Sequence, residues 1–195
     1  KTRHLDNLEK CNNSTKTEFF VENSRHQRLH FRIDTPESNS VALIVFLHGY
    51  GAHGNRSALK TFKNVFLKQS YAFLSLDFHG HGYSEGTRGL VGDYEDLIDD
   101  VASLLLALYG NFEKRKSFTP IKECKLPFYL VGHSMGGGAT IMMSHALTDI
   151  DFAERICVQP DSITSYVAPF FKGSILFCPL VEVNVPPVAN AVVDL

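Results

Sequence analysis

Tyr129-Leu130-Val131-Gly132-His133-Ser134-Met135-Gly136-Gly137-Gly138 is the stretch on which the fold turns. Phe128 to Val131 is a short apolar run of strand-forming residues, and Ala139 to Leu147 beyond the glycines has helical composition, which sets Ser134 in a sharp turn between strand and helix. Such a turn is a nucleophile elbow. Gly132 and Gly136 bring strand and helix so close that a Cβ on either flank would clash, while the serine takes strained backbone angles. Its Oγ then stands exposed beside amides of a helix N-terminus, which can hold a developing oxyanion. Gly-x-Ser-x-Gly arises by chance in roughly one chain in fifteen of this length. The setting therefore carries the reading, together with what lies upstream.

Upstream, Glu18 to Glu22 and Arg28 to Ile33 read as an antiparallel hairpin across the polar stretch Asn23 to Gln27, with Leu29, Phe31 and Ile33 alternating against His30 and Arg32. Residues 1–17 form a polar lead-in. Val41 to Leu47 is a continuous apolar run, expected of a strand buried on both faces of a mainly parallel sheet, and it ends in His48-Gly49-Tyr50-Gly51. A helix follows over Ser57 to Gln69, with Ser57 as N-cap and Leu59, Phe62, Phe66 and Leu67 on one side. Tyr71 to Asp77 is the next strand. The glycine-punctuated loop after it, Asp77 to Gly86, lies at a strand's C-terminal end, where open α/β sheets keep their sites. Asp93 to Tyr109 has the clearest helical period, through Tyr94, Leu97, Ile98, Val101, Leu104, Leu105 and Leu108, with Asp93 as cap and four further acids favourable to the helix dipole. Residues 111–125 read as a charged surface connection, and Gly173 to Cys178 as one more buried strand. The fold class is α/β: a doubly wound, mainly parallel sheet with an antiparallel N-terminal edge.

The 195 residues, 44% of them hydrophobic, fit one globular domain. A net charge of -2 gives no pull toward nucleic acid, and Lys114-Arg115-Lys116 is too short a basic run to change that. Cys11, Cys124, Cys157 and Cys178 lie far apart without a Cys-x-x-Cys pair, as expected of reduced thiols in a cytoplasmic setting rather than a disulfide frame or zinc site. No signal peptide or spanning helix stands out: the weakly charged stretch Gly173 to Val193 holds Glu182 and three prolines. Asn12, Asn13 and Asn55 sit in sequons that matter only in a secreted protein.

Four blocks give the chain a family likeness: His48-Gly49-Tyr50-Gly51, Asp77-Phe78-His79-Gly80-His81-Gly82-Tyr83-Ser84-Glu85-Gly86, Gly132-His133-Ser134-Met135-Gly136-Gly137, and Lys172 to Val181. In their order and spacing the sequence resembles an α/β-hydrolase of the monoacylglycerol lipase and lysophospholipase group, related to the serine aminopeptidase-like hydrolases. The resemblance implies Ser134 as nucleophile and the backbone N–H groups of Tyr50 and Met135 as the oxyanion hole. Losing one such donor typically costs about 3 to 4 kcal/mol of barrier. His48, Gly49, His133, Gly132 and Gly136 are then structural residues beside the site, with both histidines bonding to nearby backbone. His79 and His81 read as residues that fix their loop, with no third group to make a metal site.

A lipid ester is the implied substrate, a monoacylglycerol or lysophospholipid, cleaved through an acyl-enzyme with no metal or organic cofactor. The implied partners include no nucleic acid, and peripheral membrane contact would come through a lid beginning near residue 181. Open beside this stand a peptidase or small-ester hydrolase of the same fold and a non-catalytic binding protein that keeps the fold. The sequence departs from the family in one respect. Downstream of Ser134 the sole histidine is His145, eleven residues along the same helix and so about 16 Å away along its axis, too far to act as base. Asp149, Asp151, Asp161 and Asp194 are the later aspartates, none of them after a seventh strand. The expectation is a chain covering the first six strands and the start of the lid, without the triad acid and histidine, and catalytically poor by itself.

Overall fold

The alternation of short apolar runs with amphipathic segments folds into one six-stranded sheet with helices on both faces. The computed structural model describes residues 16–56, 58–110, 126–157 and 159–181. The Ser57 cap, the 111–125 connection with its basic run, Cys11, Cys124, the sequons at Asn12 and Asn13, Glu182, Asp194 and the apolar tail of the proposed lid lie outside those residues.

The strands are β1 (Lys16–Glu22), β2 (Arg28–Asp34), β3 (Ala42–Leu47), β4 (Tyr71–Leu76), β5 (Phe128–His133) and β6 (Phe171–Phe177). Their order in the sheet is β1-β2-β4-β3-β5-β6. β1 pairs antiparallel with β2 and β2 antiparallel with β4, and every later pair is parallel. The doubly wound sheet with an antiparallel N-terminal edge is thus present as the sequence implies. β1 begins two residues before the expected Glu18.

Helix α1 (Ala58–Lys68) lays Leu59, Phe62, Phe66 and Leu67 on one face of the sheet, against Ile44, Phe46, Phe73 and Val131. Helices α2 (Tyr94–Tyr109), α3 (Met135–Ala146) and α4 (Ile150–Ile156) enclose the larger core with the other face. Short helical turns over Pro160–Ser162, Ile163–Val167 and Ala168–Phe170 lead into β6. β3 is buried at all six positions, which explains its unbroken apolar run.

Four details differ from expectation. β6 is not a buried strand: it pairs only with β5 among the described residues, and Ile175, Leu176 and Phe177 are exposed. Asp93 stands at the N-cap of α2 with extended backbone, but its side chain makes no capping bond. The acids of that helix do more than face its dipole, since Asp99 and Asp100 are buried. His30 is buried rather than solvent-facing, packed between Phe20 and Tyr83.

Candidate active site

β5 runs straight into Ser134, whose backbone sits at φ 52° and ψ -118°, a strained conformation for a residue with a Cβ. The flanking glycines allow it. A Cβ on Gly132 would collide with the Gly136 carbonyl and the Thr140 hydroxyl, and one on Gly136 would collide with the carbonyls of Leu47 and His48. Strand β5, helix α3 and the end of β3 therefore meet at van der Waals limits. The main chain of Ser134 is gripped from both sides: its N–H donates to Phe177 O at 3.0 Å, and its carbonyl accepts from Gly137 at 2.8 Å, Gly138 at 3.2 Å and Leu180 at 2.8 Å. Its side chain is half-buried and makes no hydrogen bond among the described residues. Tyr94 Oη donates to Met135 O at 2.8 Å, tying the first turn of α3 to α2.

The turn after β3 lies against this bend. A Cβ built on Gly49 would stand 3.1 Å from Ser134 Cβ and 3.0 Å from His133 Nδ1, a tight contact that glycine avoids. Ala52 N–H donates to Gly49 O at 3.1 Å, closing a turn in which Gly51 takes φ 66° as the third residue. Tyr50 is the second residue, and its amide is left out of the turn's own bond. Among the described residues neither the Tyr50 nor the Met135 amide donates a hydrogen bond.

His48 and Asp77 brace these pieces. His48 Nδ1 donates to Gly49 O at 2.8 Å and Nε2 accepts from Phe78 N–H at 3.1 Å, which fixes a neutral tautomer. Burial lowers its pKa to about 4, against the Gly49 bond and the Asp77 charge, which raise it. Asp77 accepts from Gly54 N–H at 2.6 Å, Tyr83 N–H at 3.0 Å and His30 Nδ1 at 2.9 Å. Burial pushes its carboxyl up, but these bonds and the His30 charge outweigh it and hold the group below its ordinary value. His48 thus bonds to nearby backbone through both ring nitrogens. The His133 side chain is exposed and makes no hydrogen bond among the described residues.

His79 and His81 fix their loop as expected, through a network that the sequence reading misses. Asp100 Oδ2 accepts from His79 N–H at 2.9 Å and from His79 Nδ1 at 2.7 Å, and His81 Nδ1 donates to His79 O at 2.9 Å. Arg25, from the turn between β1 and β2, reaches Asp96 at 2.8 Å, Asp99 at 3.1 Å and Asp100 at 2.8 Å, and Asn23 Nδ2 adds a 2.8 Å bond to Asp100. The signal was present: Asp100 lies in helical phase with Leu97 and Leu104, on the apolar stripe of α2, where an aspartate needs partners.

His145 stands at the far end of α3, exposed, 3.4 Å from Asp149 and stacked on Phe152, so it is not part of this site. An apolar cleft of about 270 Å³ opens on the α1 side of the sheet between Phe46, Leu59, Phe62, His133 and Phe177. Ser134 is not among its walls.

Comparison with known proteins agrees with this fold. A family model described as serine aminopeptidase, S33, matches residues 38–195. Monoglyceride lipase of Homo sapiens is 24% identical over 177 residues, covering 88% of this chain and 54% of that protein. Caffeoylshikimate esterase of Arabidopsis thaliana is 32% identical over 135 residues, 67% of this chain and 38% of that one. The chain thus spans about half the length, or less, of these curated relatives. In three dimensions it is similar to the α/β hydrolase GrgF from Penicillium sp. sh18, with a TM-score of 0.59 at 15% identity over 91% of this chain and 50% of that one. A putative hydrolase from Agrobacterium vitis S4 gives 0.57 at 16% identity over 92% and 60%.

Proposed function

This chain belongs to the serine aminopeptidase S33 family of α/β-hydrolases, and from that premise we propose that it is the nucleophile-bearing part of a serine hydrolase that cleaves carboxylic esters. Ser134 Oγ attacks the ester carbonyl, the amides of Tyr50 and Met135 receive the oxyanion, and the acyl-enzyme is then hydrolysed. The observation that carries this is the bend at Ser134: a strained serine whose hydroxyl makes no hydrogen bond among the described residues, with the Gly49 turn packed against it. A binding protein has no need of such a serine.

Neither His145, which faces Asp149 at the far end of α3, nor His48, buried with both ring nitrogens engaged, is placed to act as the base. Monoacylglycerols or lysophospholipids are the substrates favoured by the likeness to monoglyceride lipases. Small esters stay in view because of the 32% match to caffeoylshikimate esterase. No metal or organic cofactor is required by this chemistry, and contact with a membrane surface would be peripheral. No helix among the described residues is long and apolar enough to cross a membrane.

A panel of monoacylglycerols, lysophospholipids, aryl esters and aminoacyl peptides, offered to the full-length protein, tests the function. Hydrolysis of a lipid ester that disappears in Ser134→Ala is expected, with the 195-residue chain alone slower by about a thousandfold or more. Turnover of peptides in preference to all esters would replace the esterase reading, and full activity in Ser134→Ala would end it.

A further inference from the structure

Resting on the role proposed for the residue 50 amide, we propose that the Tyr50 side chain is a positioning residue: clamped between Gly89 and His81, it fixes that amide in the oxyanion hole. The backbone holds that peptide at its carbonyl, where Gly49 O accepts from Ala52 N–H at 3.1 Å and from His48 Nδ1 at 2.8 Å. Tyr50 stands between Gly49 and Gly51, the residues with the widest conformational freedom, and the turn's one hydrogen bond, Ala52 to Gly49, leaves its N–H unengaged. The side chain of residue 50 adds a hold on the Tyr50 Cα side of that peptide, which those bonds do not reach.

The structure holds it at two points. Tyr50 Oη donates to Gly89 O at 2.9 Å, a carbonyl 39 residues further along the chain. The Tyr50 ring meets the His81 ring edge to face, centroids 5.7 Å apart at 77°. Tyr50 is 64% exposed, so burial is not what fixes its ring; its two contacts are. The surface beneath it is rigid. His81 is buried, lies 5.2 Å from the ring of His48, and is bonded to His79, which Asp100 holds by both main chain and ring. The His81 ring fills the space between His48 and Tyr50, and its Nε2 is buried with no hydrogen-bond partner among the described residues. A donor held in place before the reaction needs no reorganisation as charge develops, and that advantage appears only in the transition state.

The test uses the full-length protein with its best ester from the panel and an alkyl trifluoromethyl ketone, which adds to the serine as a tetrahedral oxyanion. Tyr50→Phe, which loses only the bond to Gly89, is expected to lower kcat about fivefold, and Tyr50→Ala about thirtyfold, with KM within about twofold of wild type. The ketone's inhibition constant should rise in parallel with the loss in kcat, while the melting temperature stays within a few degrees. The better activity of Phe over Ala measures the ring's share on His81. Unchanged kcat and ketone affinity in both variants would overturn the positioning role, and so would a rise in KM with kcat intact, which would make Tyr50 a substrate contact. Absence of Ser134-dependent hydrolysis in the wild type is a different result: it removes the hydrolase reading and this inference with it.

Discussion

His48 shows how one buried side chain couples the site to pH. Its Nδ1 bond to Gly49 and its Nε2 acceptance from Phe78 both require the neutral ring, so protonation would set Nε2–H against a backbone N–H. Its folded pKa of about 4 lies below the unfolded value of 6.5, hence the unfolded chain takes up this proton first as pH falls. Stability from this residue is complete above about pH 6.5 and declines to a loss of roughly 3 kcal/mol near pH 4. The lowered Asp77 adds a separate loss below its ordinary carboxylate range. Urea denaturation of the chain at a series of pH values should show the first decline, and His48→Asn, which keeps a donor and an acceptor without titrating, should flatten it. An equal decline in the variant would assign the effect elsewhere. At this level the sequence was most readable where a Cβ has no room: Gly132 and Gly136 do the steric work that their spacing around the serine implied. It was least readable for His133, because an exposed side chain with no partner leaves no mark in the chain around it.

Among the elements, the hairpin of β1 and β2 looks peripheral in sequence yet is fastened to the interior through its turn. Arg25 supplies the cation for three aspartates on α2, one of which, Asp100, is fully buried and carries His79. Replacing Arg25 with methionine keeps the stem and strands those carboxylates, at a cost of about 2 to 3 kcal/mol, below the full value for a buried pair because Arg25 is 28% exposed. Chemical denaturation of Arg25→Met measures it, and a loss under about 0.5 kcal/mol would show that Asn23 and His79 suffice. The helices themselves were legible because α1 and α2 carry long apolar stripes. The ion network was not, since its cation and carboxylates are about seventy residues apart and no local period joins them. The apolar run of β6 marks a strand but not its burial, because apolar composition is the same for a strand paired on both sides and for one at a sheet's edge.

The described residues form one sheet with the antiparallel hairpin at one edge and β6 at the other. Along β6, Ile175, Leu176 and Phe177 are 39–41% exposed beside backbone that has no second partner strand among the described residues, a surface that invites a further strand. The 195-residue chain is therefore expected to self-associate with rising concentration in light scattering, and Ile175→Lys to shift it toward monomer; a monomer at every concentration would contradict this. The parallel strand order followed from alternating element types, whereas the state of the open edge depends on what else pairs with it, which local sequence does not encode. All of this architecture converges on one hydroxyl at the bend between β5 and α3. Its most direct test is to react the full-length protein with a fluorophosphonate and map the adduct by peptide mass spectrometry. A single phosphonate on Ser134, absent in Ser134→Ala, is the expected result; an adduct on another residue, or none, would contradict the assignment of Ser134 as nucleophile.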